Sequence, residues 1–491
     1  MSIRTRLAPS PTGYMHIGNL RTALWDYFLA RQSDGQFIIR IEDTDQTRLV
    51  PGALESLLTT FQKLGIEHDE GPFLTEDGSI IEKGNFGPYI QSRRLDLYRK
   101  YADQLLANGD AYPCFCSKER LEEMRTAQTA AKMTPKYDRF CLSLSQEEVQ
   151  RRLAAGESHV IRLKIPDGIS EFNDAIRGRV SFQNSDIDDQ VLIKTDGFST
   201  YHLAVVVDDH LMKITHVLRG EEWLSSTPKQ IILHRMLGWD MPVYAHVPLL
   251  LNPDHSKLSK RQGDVAAEDY LEKGYLPEAL KNFLATLGFN PTADREIFAF
   301  DELIQSFDLS KVNKGGAVMN AEKLDWMNRH YIGLLNEGAL ADAAQPFVSH
   351  DLNQPVFRKA LWIERTRVSR LAEFEERLQA YTALPAYEPS LLVWKKSTVE
   401  DARKQLSDLL PFLSSLSVES WKEPGLLEAS LRQYSEERTI PAGNLFWPLR
   451  TALSGLSASP GPFELLWVFG KEESLQRISY ALHQLEKNDE T

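Results

Sequence analysis

Residues 4–32, RTRLAPSPTGYMHIGNLRTALWDYFLARQ, join a short strand to a helix through a turn rich in proline and glycine. The letters RTRLA predict the strand, and PSPTG predicts the turn. Apolar residues then recur at helical spacing between Leu20 and Phe28, which predicts the helix. The stretch QFIIRIEDTD, from Gln36, is rich in isoleucine and predicts a second strand. This order of elements is typical of a nucleotide-binding α/β fold.

The turn before this helix has the features of a phosphate site. A helix N-terminus presents free N–H groups and the positive end of the helix dipole, and both suit phosphate. Gly18 has no side chain, so a base or a phosphate can approach the backbone, and His16 adds a hydrogen-bond donor. The alternative is that His16 is exposed and only caps the helix. This stretch alone does not choose between the two interpretations.

A second group of cations lies far along the chain, in NPDHSKLSKRQG, residues 252–263. Lys257 and Lys260 stand three residues apart among serine, glycine and proline, which predicts a loop. Two ammonium groups on such a loop suit the phosphates of a nucleoside triphosphate. A solvated basic loop is the alternative, and it is disfavoured when the loop is considered together with residues 4–32.

The composition is that of a folded protein. The 491 residues are 42% hydrophobic and 25% charged. No stretch approaches 18 consecutive apolar residues, and the N-terminal residues do not resemble a signal peptide, so we expect no membrane span and a cytoplasmic location. The net charge is −13, so any contact with RNA should be confined to local basic patches.

The three cysteines of the chain, Cys114, Cys116 and Cys141, fall close together in the sequence. Such a small, odd set argues against a disulfide framework and for a reducing compartment. Three thiolates and one oxygen, from Tyr137, could form a tetrahedral zinc site. Tyrosine is an unusual zinc ligand, and the alternative is three buried thiols in a small hydrophobic cluster.

Two short motifs resemble the signatures of one enzyme class. HIGN, residues 16–19, resembles the HIGH signature of class I aminoacyl-tRNA synthetases, and KLSKR, residues 257–261, resembles their KMSKS signature. RLAPSPTG, RIEDTD, TYHLAVVVDDH and THVLRGEEW resemble bacterial glutamyl-tRNA synthetases in particular. Asn19 replaces the last histidine of the first signature, and Leu258 and Arg261 replace two positions of the second. The resemblance extends along nearly the whole chain.

The resemblance implies an enzyme that activates L-glutamate with ATP and Mg²⁺ and transfers it to the 3′ end of tRNA(Glu). The residues that it implicates are His16, Lys257 and Lys260 in catalysis; Arg6, Tyr201 and Arg219 around the glutamate carboxylates; Ser10 and Glu42 near the α-amino group; Gly18, Glu222, Leu250 and Lys260 at ATP; and Cys114, Cys116, Tyr137 and Cys141 at one structural Zn²⁺. Arginine suits the carboxylates because its planar fork can donate two hydrogen bonds. Taken alone, Glu42 could simply pair with Arg40.

The resemblance and the helical patterns together predict the fold class. We expect an α/β Rossmann-type catalytic domain with an α+β insertion, followed by all-α domains that contact the tRNA stem and bind the anticodon. The predicted parts are the split catalytic domain, 1–95 and 194–262; the acceptor-binding insertion, 96–193; the stem-contact domain, 263–330; and the anticodon-binding domain, 331–491. Trp326 lies in the helical pattern AEKLDWMNRHYIGLL, and we expect it in the core rather than stacked on RNA.

Several other functions remain to be weighed. A non-discriminating enzyme would also glutamylate tRNA(Gln), and the sequence does not separate it from one specific for tRNA(Glu). A truncated paralogue that glutamylates a modified base would lack the helical C-terminal part. A nucleotidyltransferase would not need an amino-acid pocket. A non-catalytic tRNA-binding protein would not need His16, Lys257 and Lys260. The resemblance implies a monomer.

Overall fold

The computed structural model divides the chain into two compact units. The described residues are 2–258, 265–292, 294–395 and 397–488. The first unit comprises Met1–Leu271 and Pro277–Ala321, and the second comprises Glu272–Leu276 and Glu322–Thr491. Lys260, one of the predicted catalytic residues, and Arg261 lie outside the described residues.

All the strands lie in the first unit, within the described part of the chain. They are β1 Arg4–Leu7, β2 Gln36–Ile39, β3 Gly71–Leu74, β4 Ile80–Lys83, β5 Ala111–Cys114, β6 Val160–Leu163, β7 Ile169–Asp174, β8 Gly178–Gln183, β9 Val191–Ile193, β10 His216–Gly220, β11 Val243–Val247, β12 Leu250–Leu251 and β13 Ala317–Val318.

Helices occur in both units. They are α1 Ile17–Gln32, α2 Ala53–Leu64, α3 Leu95–Asn108, α4 Lys118–Ala130, α5 Gln146–Ala154, α6 Tyr201–Leu211, α7 Thr227–Leu237, α8 Ala267–Glu272, α9 Pro277–Thr286, α10 Phe300–Ser306, α11 Ala321–Leu334, α12 Glu337–Ala344, α13 Pro355–Glu364, α14 Glu373–Thr382, α15 Val399–Ser415, α16 Pro424–Glu437, α17 Ala442–Ser454 and α18 Pro462–Asn488. No helix among the described residues is both long and apolar enough to cross a membrane.

Parallel strands form the centre of the first unit. β1 pairs with β2 in parallel, and α1 is the connection between them. β10 pairs with β11, also in parallel. The N–H of Thr215 donates to the carbonyl of Arg4 at 3.0 Å, which joins the two strand pairs. The strand, helix and strand predicted from residues 4–45 are therefore confirmed, and the carboxyl ends of β1 and β10 lie where α/β folds place their ligands.

Helix α1 is buried on almost every side, which fixes its position against β1. A helix that is surrounded by protein has to be apolar or to satisfy its polar groups internally. Arg21 is 2% exposed and donates to the carbonyl of Leu287 at 3.3 Å and to that of Pro248. The N-terminus of α1 is thereby held against the segments that precede β12 and follow α9.

Antiparallel strands give the predicted insertion its α+β character. β5, β6 and β9 form a three-stranded antiparallel arrangement, and β7 and β8 form a hairpin. Helix α3 contributes Tyr98, Ala102 and Leu105 to the core beside β5. The hairpin turns back onto the central strands, because the N–H of Ala175 donates to the carbonyl of Tyr244 at 2.8 Å.

The second unit is helical from Glu322 onward, as predicted. Asn328 on α11 holds the short segment Glu272–Leu276 through hydrogen bonds to the N–H of Leu276 at 2.7 Å and the carbonyl of Gly274 at 3.3 Å. Gly274 has φ +84°, and a Cβ there would lie 2.7 Å from the Leu371 nitrogen, so only glycine fits. The expectation that Trp326 is a core residue is wrong, since it is 48% exposed on α11.

Candidate active site

A cavity of about 700 Å³ opens at the carboxyl ends of β1 and β10. Predicted site residues that line it are Arg6, Ser10, Glu42, Tyr201, Arg219 and Glu222. Its volume is in the range of small-molecule sites. Residues from the front of the chain and from positions near 220 therefore share one cavity.

Arg6 projects from β1 into a buried network of charges. Its Nε donates to Oδ1 of Asp209 at 3.2 Å, and Arg40 donates to the same oxygen at 2.7 Å. Burial alone would raise the pKa of Asp209, but the two guanidinium groups lower it below its ordinary value. Arg40 also donates to Oε1 of Glu42 at 3.0 Å. The pairing of Glu42 with Arg40 is therefore real, and Glu42 lines the cavity as well.

Arg219, on β10, is held along one edge of its guanidinium group. Its Nε donates to Nε2 of His246 at 3.1 Å and its Nη2 to the hydroxyl of Thr227 at 2.8 Å. Its Nη1 donates to the hydroxyl of Tyr201 at 3.2 Å. The ring of Tyr201 lies 4.5 Å from that of Trp223, which also lines the cavity. Burial raises the pKa of Tyr201, so this hydroxyl stays protonated.

A buried carboxyl that the sequence did not single out also borders the cavity. Asp26, on α1, is fully buried, and neither of its carboxylate oxygens has a hydrogen-bond partner among the described residues. Burial raises the pKa of Asp26 well above its ordinary value, against the effect of Arg6. Burial therefore favours the neutral acid form of this side chain over a third anion beside Glu42.

His16 begins helix α1 and caps it. Its Nδ1 accepts the N–H of Gly18 at 3.0 Å, so the neutral ring carries its proton on Nε2. His16 thus caps the helix through Nδ1, as one of the two interpretations of the sequence expects. The N–H groups expected to be free for phosphate are already bonded, because Ile17 donates to the carbonyl of Val265 at 2.8 Å and Asn19 to that of His16.

Leu250 lies beside Gly18, although the two are far apart in sequence. A Cβ on Gly18 would be 3.8 Å from Cδ1 of Leu250 and 3.1 Å from Nδ1 of His16. The N–H of Leu258 donates to the carbonyl of Leu250 at 3.0 Å, so the chain folds back on itself directly after β12. Lys257 is exposed within this turn. The predicted ATP residues Gly18 and Leu250 are therefore neighbours.

Comparisons with known proteins agree along the whole chain. Residues 2–326 match the catalytic domain of the tRNA synthetases class I (E and Q), and residues 339–482 match an anticodon binding domain. A glutamate–tRNA ligase of Clostridioides difficile strain 630 is 44% identical, over 99% of this chain and 100% of the relative. The chain belongs to the glutamate–tRNA ligase family of class I tRNA synthetases.

Solved structures of this family have the same fold. A crystal structure of a glutamate tRNA ligase from Elizabethkingia meningosepticum, in complex with its amino acid, has a TM-score of 0.88 and 34% sequence identity, with 99% of this chain and 100% of that chain covered. The structure of glutamate-tRNA synthetase from Elizabethkingia anophelis has a TM-score of 0.86. The family, the ligase class and the fold class predicted from the two signatures are confirmed.

The three cysteines come together in the insertion region of this synthetase. Their sulfur atoms lie within 4.8 Å of one another, so the cluster could hold a metal ion. The hydroxyl of Tyr137 is 3.4 Å from the sulfur atoms of Cys114 and Cys116, and the sulfur atoms of Cys116 and Cys141 are 3.5 Å apart. Sulfur ligands around a tetrahedral zinc ion with Zn–S bonds of 2.3 Å are about 3.8 Å apart, so these three distances are close to tetrahedral spacing.

Interactions within the cluster favour a thiolate on Cys114, whereas the hydrogen bond with Cys114 raises the pKa of Cys141 and burial raises the pKa of Tyr137. Hydrogen bonds from Cys141, Tyr137 and Arg162 outweigh burial and lower the pKa of Cys114. The guanidinium of Arg162 lies 4.1 Å above the ring of Tyr137, and Arg120 donates to the sulfur of Cys116 at 3.5 Å. The alternative of a hydrophobic cluster is also visible, because Leu121, Met124 and Leu144 are among the side chains that pack around it.

Several site residues were missed by sequence reasoning in this synthetase. The pair Asp208 and Asp209 stands within the apolar run LAVVVDDH, and two carboxylates in such a run need buried cations, which could have pointed to Arg40. His246 is a lone histidine in a buried strand, and its partner Asp174 lies 72 residues earlier. Sequence spacing gives no signal for a pair of that kind.

Proposed function

We propose that this protein is a glutamate–tRNA ligase that activates L-glutamate with ATP and transfers the glutamyl group to the 3′ end of tRNA(Glu). The observation that carries this proposal is the arrangement of Arg6 and Arg219. Both guanidinium groups are nearly buried, and both border one cavity that also contains Glu42 and Ser10. An amino acid with two carboxylates and one ammonium group matches this set of charges.

Arg219 is suited to a substrate carboxylate. Guanidinium has five donors, and three of those on Arg219 bond to His246, Thr227 and Tyr201. The two that remain are on the terminal nitrogen atoms, where a carboxylate can accept both. A glutamine amide in the same place would set its NH₂ group against these donors, so the site should reject glutamine.

The first reaction needs no protein nucleophile. An oxygen of the glutamate α-carboxylate attacks the α-phosphorus of ATP, the bond to the β-phosphate oxygen breaks, and pyrophosphate leaves with the negative charge. Catalysis then depends on positioning and on cations near the leaving group. We assign this role to His16, Lys257 and Lys260, and we assign ATP contacts to Gly18, Glu222 and Leu250. Mg²⁺ bound to the phosphates would neutralise part of their charge.

The second reaction transfers the glutamyl group to the terminal adenosine of tRNA, whose 2′-hydroxyl attacks the adenylate carbonyl. We assign residues 1–95 and 194–262 to catalysis, 96–193 to the acceptor end, 263–330 to the stem and 331–491 to the anticodon. The match of residues 339–482 to an anticodon binding domain supports the last of these. We expect a monomer that acts in the cytoplasm, where tRNA is charged.

A cavity of about 480 Å³ in the second unit is our candidate for an anticodon contact. Arg367, Arg370 and Arg377 line it together with Tyr381 and Phe469. Arginine and aromatic side chains at a cavity of this size suit an unstacked base and its phosphate. Glutamate side chains pair with all three arginines, which limits the positive charge and favours a base over a bare phosphate.

Aminoacylation assays test the proposed function. Purified protein, ATP, Mg²⁺ and ¹⁴C-glutamate are incubated with purified tRNA(Glu) or tRNA(Gln), and acid-precipitable label is counted. We expect charging of tRNA(Glu). Charging of both tRNAs would identify a non-discriminating enzyme, which is the alternative that the sequence leaves open. Absence of charging, together with absence of glutamate-dependent pyrophosphate exchange in the presence of tRNA, would favour a non-catalytic tRNA-binding protein.

A further inference from the structure

We propose that Asp174 and His246 are positioning residues that hold Arg219 in the orientation needed to bind glutamate. This inference rests on the proposed function, because it assigns Arg219 to a glutamate carboxylate. Asp174 ends β7 in the predicted acceptor-binding insertion, whereas His246 and Arg219 are on the central strands β11 and β10. The insertion thus contributes directly to the amino-acid site.

Backbone N–H groups hold the side chain of Asp174 in place beside the ring of His246. Its Oδ1 accepts the N–H groups of Ile176 at 3.0 Å and Arg177 at 2.8 Å, and its Oδ2 accepts the backbone N–H of His246 at 3.1 Å. The same Oδ2 lies 2.6 Å from Nδ1 of His246. Both side chains are fully buried. A carboxylate with this many donors stays ionised, and these bonds lower the pKa of Asp174 although burial opposes them.

The carboxylate of Asp174 determines the tautomer of His246. A carboxylate can only accept, so Nδ1 must carry a proton, and the neutral ring then has a lone pair on Nε2. Arg219 can only donate, and its Nε lies 3.1 Å from that Nε2. The opposite tautomer would set two N–H groups against each other at this contact.

His246 and Thr227 together occupy one edge of the guanidinium group. Their acceptor atoms are 3.0 Å apart and take the Nε and Nη2 donors of Arg219. Because guanidinium is planar, holding one edge also fixes the direction of its outer end. The outer end of the guanidinium group donates to the hydroxyl of Tyr201 and borders the cavity. Loss of the acceptor on His246 should therefore allow Arg219 to rotate and should weaken glutamate binding.

Protonation of His246 would remove the same acceptor. The charged and titratable groups that face His246 are Asp174 from β7, Arg177 from the β7–β8 turn, Arg219 from β10 and Tyr244 from β11 itself. Burial and the two arginines lower the pKa of His246, and Asp174 opposes them without reversing the shift. The ring is therefore neutral at pH 7. The affinity for glutamate should therefore be highest above the ordinary histidine pKa of 6.5. It should fall as the pH drops through the lowered pKa of His246.

The first test replaces Asp174 with asparagine, whose NH₂ group can donate to Nδ1 and so favour the wrong tautomer. For Asp174→Asn we expect the KM for glutamate to rise about tenfold or more, while the KM for ATP and kcat change less than about threefold. Glu171→Gln is the matched control, since it makes the same acid-to-amide change on the same strand with a side chain that is 41% exposed. Asp174→Asn should melt at a lower temperature than Glu171→Gln, because its NH₂ group faces the backbone N–H of His246, so both variants are assayed well below their melting temperatures.

The second test uses His246→Gln. The amide oxygen of glutamine can accept from Arg219, but glutamine does not titrate. We expect a glutamate KM closer to that of the wild type than the KM of His246→Ala. We also expect no rise in the KM of His246→Gln as the pH falls below 6.5, whereas the KM of the wild type rises once the pH reaches the lowered pKa of His246. Each variant is assayed in parallel with the wild type on tRNA(Glu).

The outcomes separate the positioning role of Asp174 and His246 from the proposed function. If the wild type does not charge tRNA with glutamate, the proposed function fails. If the wild type charges tRNA but Asp174→Asn has the same KM for glutamate as Glu171→Gln, the positioning role is refuted. It is also refuted if His246→Gln keeps the rise in KM at acid pH. Equal losses in glutamate KM, ATP KM and kcat for Asp174→Asn would show a general structural role and would also refute it.

Discussion

Asp209 and Arg6 form an ion pair of 3.2 Å in which each side chain is only 4% exposed. The pair connects the proposed glutamate cavity to the centre of the first unit, because Asp209 also accepts from Arg40 at 2.7 Å. Charged groups are costly to bury unless they are paired and hydrogen-bonded, so these residues depend on one another. Removal of one charge should leave the others without compensation.

For Asp209→Asn we expect the free energy of unfolding of the first unit to fall by about 3 kcal/mol or more, because two buried guanidinium groups lose their shared carboxylate. Urea unfolding followed by tryptophan fluorescence measures this change. Asp103→Asn removes the carboxylate of an exposed pair on α3 and should change the free energy by less than about 0.5 kcal/mol. Equal effects of the two substitutions would contradict the argument.

The same pair gives a pH dependence with a defined sign. The pKa of Asp209 is lowered from 3.8 in the folded protein, so its contribution to stability is complete above that value. The contribution is lost as pH falls further, through the lowered pKa. We expect the stability difference between wild type and Asp209→Asn to be constant from pH 7 to pH 5 and to shrink below about pH 4. A difference that grows with acidity would refute the assignment.

For Arg219→Lys we expect the KM for glutamate to rise about 100-fold with a much smaller change in the KM for ATP, because a lysine cannot replace the planar fork. Lysine also cannot satisfy His246, Thr227 and Tyr201 together with a substrate. Steady-state aminoacylation with each substrate varied in turn measures both constants. Arg179→Lys, on the exposed face of the β7–β8 hairpin, is the control and should leave both unchanged.

How far the sequence could predict this site depends on the range of the interactions. The strand, helix and strand of residues 4–45 can be predicted from local patterns, and the two signatures are short motifs that can be recognised directly in the sequence. The contact between Gly18 and Leu250, and the one between His246 and Asp174, join residues far apart in the chain, and local patterns do not determine them. Trp326 was placed wrongly because helical spacing gives a face of the helix but not what covers it.

For His16→Asn we expect kcat to fall by about 10²–10³ while the helix remains capped, because asparagine is a good N-cap residue but has no imidazole N–H for the phosphates. Glutamate-dependent pyrophosphate exchange measures the rate, and the melting temperature reports the cap. His16→Ala should lose both rate and stability. If His16→Asn keeps the full rate, capping is the whole role of His16.

For Lys260→Ala we expect turnover to fall more than about tenfold, with a smaller change in the KM for glutamate, because the ammonium group acts on the leaving pyrophosphate and not on the amino acid. Single-turnover formation of glutamyl-adenylate on the tRNA complex measures the step. Lys311→Ala, at an exposed lysine of the first unit, is the control. Unchanged turnover in Lys260→Ala would remove Lys260 from the proposed mechanism.

Zinc content is the test of the cysteine cluster. We propose that Cys114, Cys116, Tyr137 and Cys141 hold one structural zinc ion. Three distances between their ligand atoms are close to tetrahedral spacing, and the three sulfur atoms lie within 4.8 Å of one another. Protein purified without added zinc should contain about one equivalent by mass spectrometry of the metal, and Cys141→Ser should contain much less. Ser143→Ala, two residues away, is the control. Less than about a third of an equivalent in the wild type would leave a hydrophobic cluster as the correct description.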